Sequence, residues 1–219
     1  MPTIEDEKWH ELVATGLPGG PSVKLDKRAQ QILTVIIQQW VAACIGQHLA
    51  DFAGAKSAQD AKITWKGKKN FLGGVRWQEV DVWMSDDLSG LVLAVDPKHF
   101  QSADSLCKNW KNGHNDLVAF ATNLHERFPM CAVGGVIAMP EWASSESILR
   151  QMHGICSRSI PRDRPVNAYG KFEGFALVVY DERGELVWPT PLPQHSPLHP
   201  SSAFRTLAER VYSRTLAII

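Results

Sequence analysis

Residues 77–100 read WQEVDVWMSDDLSGLVLAVDPKHF. Apolar residues recur at every second position over Val80, Val82 and Met84, and an apolar run follows from Leu91 to Val95 before charge returns at Asp96 and Lys98. Period-two alternation is the signature of a strand, and SDDLSG between the two runs is turn chemistry. The stretch therefore predicts an antiparallel hairpin with strands over 77–84 and 91–100. With residues 85–90 as the connection, Met84 faces Leu91, Val82 faces Leu93 and Val80 faces Val95, three apolar pairs. A slip of one residue would turn that whole set to the other side, so the register is well specified. The other side then carries Glu79 opposite Asp96, Asp81 diagonal to Asp96, and Lys98 two residues beyond. Diagonal neighbours in such a ladder lie ~7–8 Å apart, within reach of one shared ion. His99 alternates onto the apolar side as a packed histidine, whereas Trp77 and Trp83 share the side of the acids and are placed to line a groove.

On either side of this hairpin the pattern is helical. A long helix starts near Asp26, a suitable N-cap, with Ile32, Val35, Ile36, Trp40, Ala43 and Leu49 near helical spacing. A shorter helix around Trp9 and a Gly/Pro loop over 15–25 precede it, and the polar stretch 56–69 reads as strand or loop with a basic edge. A helix over 115–128 places Leu117, Phe120, Ala121, Leu124 and Phe128 on one face. Residues 130–139 read as a buried strand, and 144–156 as a serine-capped helix. A hairpin follows (GFALVVYD, then ELVWPT, turning at 182–184), then a Pro/His/Ser loop, then a closing helix over 203–217. The order of elements predicts an α/β fold, a mixed central sheet flanked by helices.

The chain has 219 residues with 23 basic and 23 acidic side chains, a balance that lacks the overall basic excess common in nucleic-acid binders. That length fits one domain over 1–219, with a core of about 26–140 followed by the C-terminal hairpin and helix of 141–219. The polar, acidic N-terminus has no signal-peptide character, and no stretch reads as apolar enough to span a bilayer, so a cytoplasmic protein is expected. The four cysteines form no CxxC pair and read as buried free thiols. His195 and His199 lie among prolines and lack the spacing of a zinc site. There is no Walker phosphate loop and no G-x-S-x-G motif.

Carboxylates crowded as Asp81, Asp96 and Glu79 would be require a proton or a cation, and an all-oxygen donor set suits Mg²⁺ or Mn²⁺. A lysine beside such an ion suits hydrolysis of a phosphodiester. VDVW with Asp81, fourteen intervening residues, then AVDPKHF with Asp96 and Lys98 resembles the PD-(D/E)XK nuclease superfamily, notably its type II restriction endonucleases. The resemblance covers roughly residues 38–139 and implies a restriction-endonuclease-like fold. It makes Asp81, Asp96 and Lys98 catalytic, with Mg²⁺ held by Asp81, Asp96 and the Pro97 carbonyl, and with Glu79 as either a further ligand or a solvated neighbour. It further implies cleavage of double-stranded DNA to 5′-phosphate ends by a two-fold homodimer serving restriction or phage defence. The family's first-helix acid has no evident counterpart among Gln38, Gln39, Gln47 and Asp51. Val80 stands where proline often precedes the first acid, and Pro97 interrupts a ladder because proline cannot donate to it. Lys66, Lys68, Lys69, Arg158, Arg162, Arg164 and Lys171 are candidates for gripping phosphates, each equally readable as a solvated charge, while Lys108 and Lys111 are candidates for approaching the scissile strand whose more ordinary role is a polar helix start. Two other readings stand beside this one: a non-catalytic DNA-binding or assembly module on the same fold, and a nuclease for RNA or branched DNA.

Overall fold

The computed structural model describes residues 25, 27–53, 63–64, 68–163, 168 and 170–214. In chain order these form α1 (Lys27–Ala53), β1 (Lys69–Leu72), β2 (Trp77–Val80), β3 (Val82–Asp86), β4 (Gly90–His99), α2 (Ala103–Arg127), β5 (Ala132–Pro140), α3 (Glu146–Cys156), β6 (Gly174–Tyr180), β7 (Leu186–Val187) and α4 (Pro200–Arg214). The helix around Trp9, the loop over 15–24, the Asp26 cap and residues 215–217 of the closing helix lie outside the described residues.

A mixed sheet in the order β3-β4-β5-β6-β7 forms the centre. β4, β5 and β6 run parallel, joined by crossovers through α2 and α3, while β3 and β7 are antiparallel edge strands. Buried side chains of α1 and α4 (Leu33, Ile37, Trp40, Phe204, Leu207) pack with Leu93, Val95, Val136 and Val178 on one face. On the other face, Leu117, Phe120 and Leu124 of α2 and Leu149 and Met152 of α3 pack with Ala94, Val133, Ile137 and Leu177. Both faces are therefore core. This explains why β5 and β6 are buried at every position and show no alternation.

The hairpin over 77–100 departs from expectation in two ways. Its first strand breaks at Asp81: β2 pairs with β1 in a separate two-stranded ribbon, and only β3 pairs with β4. The register also sits two residues away from the expected one, with Val82 opposite Val95 and Met84 opposite Leu93. The cause lies at the turn. The Asp86 carboxylate accepts the N–H groups of Leu88 and Ser89, and Gly90 adopts a positive φ of 71°. Ser85 and Asp86 thereby join the ladder, leaving a three-residue loop. The register shifts by one residue between Met84 and Ser85, which opposes Leu91 and leaves Val92 as the extra residue. A two-residue slide preserves which side each residue faces, but Val80 and Leu91, beyond the break and the bulge, join the opposite core from Val82.

Three further expectations change. α2 begins at Ala103, capped by the Ser102 hydroxyl, so Lys108 and Lys111 lie within a helix rather than at its start. Cys107 is exposed, while Cys44, Cys131 and Cys156 are buried thiols, and burial pushes Cys44 and Cys156 up to about 12. Lys27–Phe52 is long and apolar enough by length and composition to cross a membrane, contrary to the reading of the sequence; here its apolar side chains serve the core.

α4 crosses β6 closely at Gly174, where an added Cβ would sit 2.6 Å from the Ala203 carbonyl oxygen and 2.9 Å from Leu207 Cγ. Backbone cannot move aside as a flexible side chain can. Gly174→Ala is expected to cost about 1–3 kcal/mol, read as a lower urea midpoint at unchanged m-value.

Candidate active site

The break at Asp81 builds the site. Asp81 is the one residue between β2 and β3, immediately before the Val82–Val95 pair, so it comes level with Asp96. This replaces the expected diagonal relation, and Glu79 no longer faces Asp96. Glu79 instead pairs with Asn70 across the ribbon and receives the Lys68 ammonium at 2.6 Å. Lys68 also reaches Asp81 Oδ1 at 3.4 Å. Lys68, a phosphate-gripping candidate by sequence, belongs to the carboxylate cluster.

Asp96 and Lys98 alternate with Ala94 and Phe100 on the α2 side of β4, near its carboxyl end. That end of parallel strands is where open α/β sheets commonly bind ligands. Lys98 Nζ lies 2.8 Å from Asp96 Oδ2, and its stem passes Gly113 of α2, whose missing side chain leaves it room. The β3 partner ends at Val95, so Pro97 falls where β4 pairs only with β5, opposite Val136, and needs no donor towards β3. His99 is partly buried, as expected of a packed histidine. Its Nε2 lies 3.1 Å from Gln101 Nε2, and burial lowers its basicity.

The electrostatics are asymmetric. Asp96 is only 8% exposed. Burial pushes its carboxyl upward, Lys98 opposes that, and the charge of Asp81 raises it further. Three carboxylates (Glu79, Asp81, Asp96) face two lysines (Lys68, Lys98) in this cluster. One negative charge stays uncompensated, and a proton or a cation is the physical remedy.

Among the described residues, no group of three or more His, Cys, Asp or Glu side chains is arranged to hold a metal ion. Asp81 and Asp96 make a two-carboxylate set, which fits Mg²⁺, an ion usually bound by one or two carboxylates with its remaining positions filled by water and substrate phosphate. Comparison with family models, curated proteins and solved structures yields no match.

The other basic candidates disperse. Arg162 is 2% exposed and bound to Glu173 and the Pro129 carbonyl, so it is a structural cation closed to phosphates. Lys108 pairs with Asp104 one turn away, Lys111 lies over the Trp110 ring, and Lys69 lies over the rings of Phe71 and Trp83. Lys171 donates to the carbonyl of Arg158. Lys66 and Arg164 lie outside the described residues. Trp83 packs edge-on against Phe71, while Trp77 is 66% exposed. His199 hydrogen-bonds Ser201 and stacks edge-on with Trp188, a loop-packing role.

Proposed function

We propose that this chain is a cytoplasmic, Mg²⁺-dependent endonuclease that hydrolyses DNA phosphodiester bonds on a restriction-endonuclease-like fold, in restriction or phage defence. The observation that carries the reading is the placement of Asp81 level with Asp96, with Lys98 on Asp96, at the carboxyl end of β4. Asp81 and Asp96 would hold Mg²⁺, or Mn²⁺ in its place, with the Pro97 carbonyl close by on the same strand. When bound, that ion supplies Lewis-acid stabilisation of charge on the phosphoryl oxygens. Lys98, held by Asp96, orients the attacking water through its ammonium protons and stabilises negative charge as the P–O bond breaks. Burial of Asp96 keeps water from screening these interactions. Cutting both strands of a duplex calls for two such sites, hence a two-fold homodimer.

The non-catalytic reading has one observation in its favour: the ion pairs of Lys68 and Lys98 satisfy much of the carboxylate charge without any metal. A digestion panel of plasmid, phage, single-stranded and branched DNA separates the readings. Cutting in Mg²⁺ that stops in EDTA is expected; cutting that persists in EDTA, or an intact panel at every Mg²⁺ concentration, removes the nuclease assignment.

A further inference from the structure

The β1–β2 ribbon has two unlike sides. Lys69, Phe71, Gln78 and Val80 share one of them, with Phe71 against Phe128 and Trp83 and with Val80 fully buried. The other side carries Asn70 and Glu79, then Leu72 and Trp77, and every one of these four is exposed. Extended by one pair, the same register sets Lys68 against Asp81, the contact observed at 3.4 Å. The open side therefore starts at the carboxylate cluster and ends at an apolar pair, Leu72 (46% exposed) and Trp77 (66% exposed). Asp81 lies four positions along the chain from Trp77, about 13 Å at the usual strand rise.

This surface is held rigidly. Asn123 of α2 accepts the N–H groups of Val75 and Arg76 on its side-chain oxygen, donates its amide to the Arg76 carbonyl, and takes the Gly74 N–H on its own backbone carbonyl. An exposed indole on a pinned ribbon keeps its stacking face open with little conformational entropy left to lose on binding. Arg76 adjoins Trp77 in the chain, and Lys68 shares the open side at its acid end. An exposed aromatic plane with a cation beside it, on the same side of the ribbon as the acidic site, suits a polyanion that carries π-faces.

We infer that Trp77, backed by Leu72, is a stacking platform for an unpaired nucleotide base flanking the phosphate at Asp81 and Asp96, so that the preferred substrate is single-stranded or locally unpaired nucleic acid. Bases within an intact duplex are stacked on each other and offer no face to an indole, whereas unpaired bases do. The inference rests on the nuclease reading for the identity of the reacting phosphate, and on the ribbon alone for binding.

Binding of fluorescent oligo(dT) and of a duplex of equal length, measured by anisotropy in EDTA, tests it without any chemistry. Trp77→Ala is expected to weaken oligo(dT) binding by about tenfold while leaving duplex binding within about twofold, and Trp77→Phe, which keeps a ring, is expected to restore most of it. Trp77 is exposed, so both variants should melt with the wild type. Four results would overturn the inference: no binding of oligo(dT) by the wild type, unchanged binding by Trp77→Ala, equal losses on both ligands, or sedimentation showing that Trp77→Ala dissociates a dimer. Mg²⁺-dependent cutting with no role for Trp77 would defeat the platform alone. A Trp77-dependent oligo(dT) complex that never cuts would defeat the nuclease reading alone.

Discussion

Glu173→Ala is expected to destabilise the fold by about 3–5 kcal/mol, a large share of the about 5–15 kcal/mol that a domain commonly has to spare. Glu173 is the centre of a buried ionic knot. Its Oε1 lies 2.7 Å from Nη1 of both Arg162 and Arg214, and its Oε2 accepts from the Val133 N–H at 2.8 Å and lies 3.2 Å from His125 Nε2. Arg162 also donates to the Pro129 carbonyl, and Arg214 to the carbonyl of Arg162. The knot ties the start of β5 and the approach to β6 to the ends of α2 and α4. Removing the acid leaves two guanidinium groups without their counter-charge in a largely buried site, so the penalty is desolvation rather than a lost contact. Urea unfolding at neutral pH measures it.

The same residue gives a signed pH dependence. Burial alone would raise Glu173, but His125, Arg214 and the Val133 N–H outweigh it and hold the carboxyl at about 2, below the ordinary 4.5. A depressed acid contributes stability that is fully present above its unfolded value and lost as pH falls through its folded one. Wild-type stability should therefore decline by about 3 kcal/mol from this group between about pH 4.5 and pH 2. Glu173→Ala should show a correspondingly shallower acid limb.

Asp96→Asn is expected to have opposite effects on activity and on stability. Cleavage should fall by more than about a hundredfold, since loss of groups that merely support a metal ligand already costs 10–100-fold. The folded protein should become more stable near neutral pH. Asp96 is raised by burial and by Asp81, so its folded state binds a proton more tightly than the unfolded chain does. Stability from such a group is lost as pH climbs from the unfolded value of 3.8 towards the folded one. An amide carries no charge to bury and removes that loss, although the Lys98 ion pair goes with it. Adding Mg²⁺ should raise the melting temperature of the wild type and leave Asp96→Asn unmoved, because only an intact site gains binding free energy. A variant that melts lower than the wild type and still responds to Mg²⁺ would mean that Asp96 is a structural ion-pair partner and no ligand.

How much of this could be read from the residues depended on the range of the contacts. Helices and buried strands were legible because their apolar spacing is local: Leu117, Phe120, Ala121 and Leu124 line one face of α2, and residues 132–140 form a fully buried strand. The first half of α2 was overlooked because SADSLCKNWKNGHN is polar and contains Gly113, yet the Ser102 cap and the spacing of Leu106, Trp110, Gly113 and Leu117 were there to be found. Asp96 and Lys98 were visible as acid and lysine two apart on one strand. The position of Asp81 was harder, since it depended on an Asp86-capped turn and a bulge that alternation cannot register. Lys68 had no sequence signal, because its contact with Asp81 exists only once the ribbon folds back through Gly73–Arg76. Arg162 resembled any loop cation, and the lone acid inside FEGFALVVY was the overlooked hint of its buried partner.

Asp81 belongs to neither sheet, standing between the last residue of the ribbon and the first of the central sheet. Asp96, by contrast, is fixed inside the central sheet by its pairing with Gly135. Because Asn123 pins the ribbon's turn to α2, the two acids hang from separate supports, and anything seated on the ribbon meets them at a set offset.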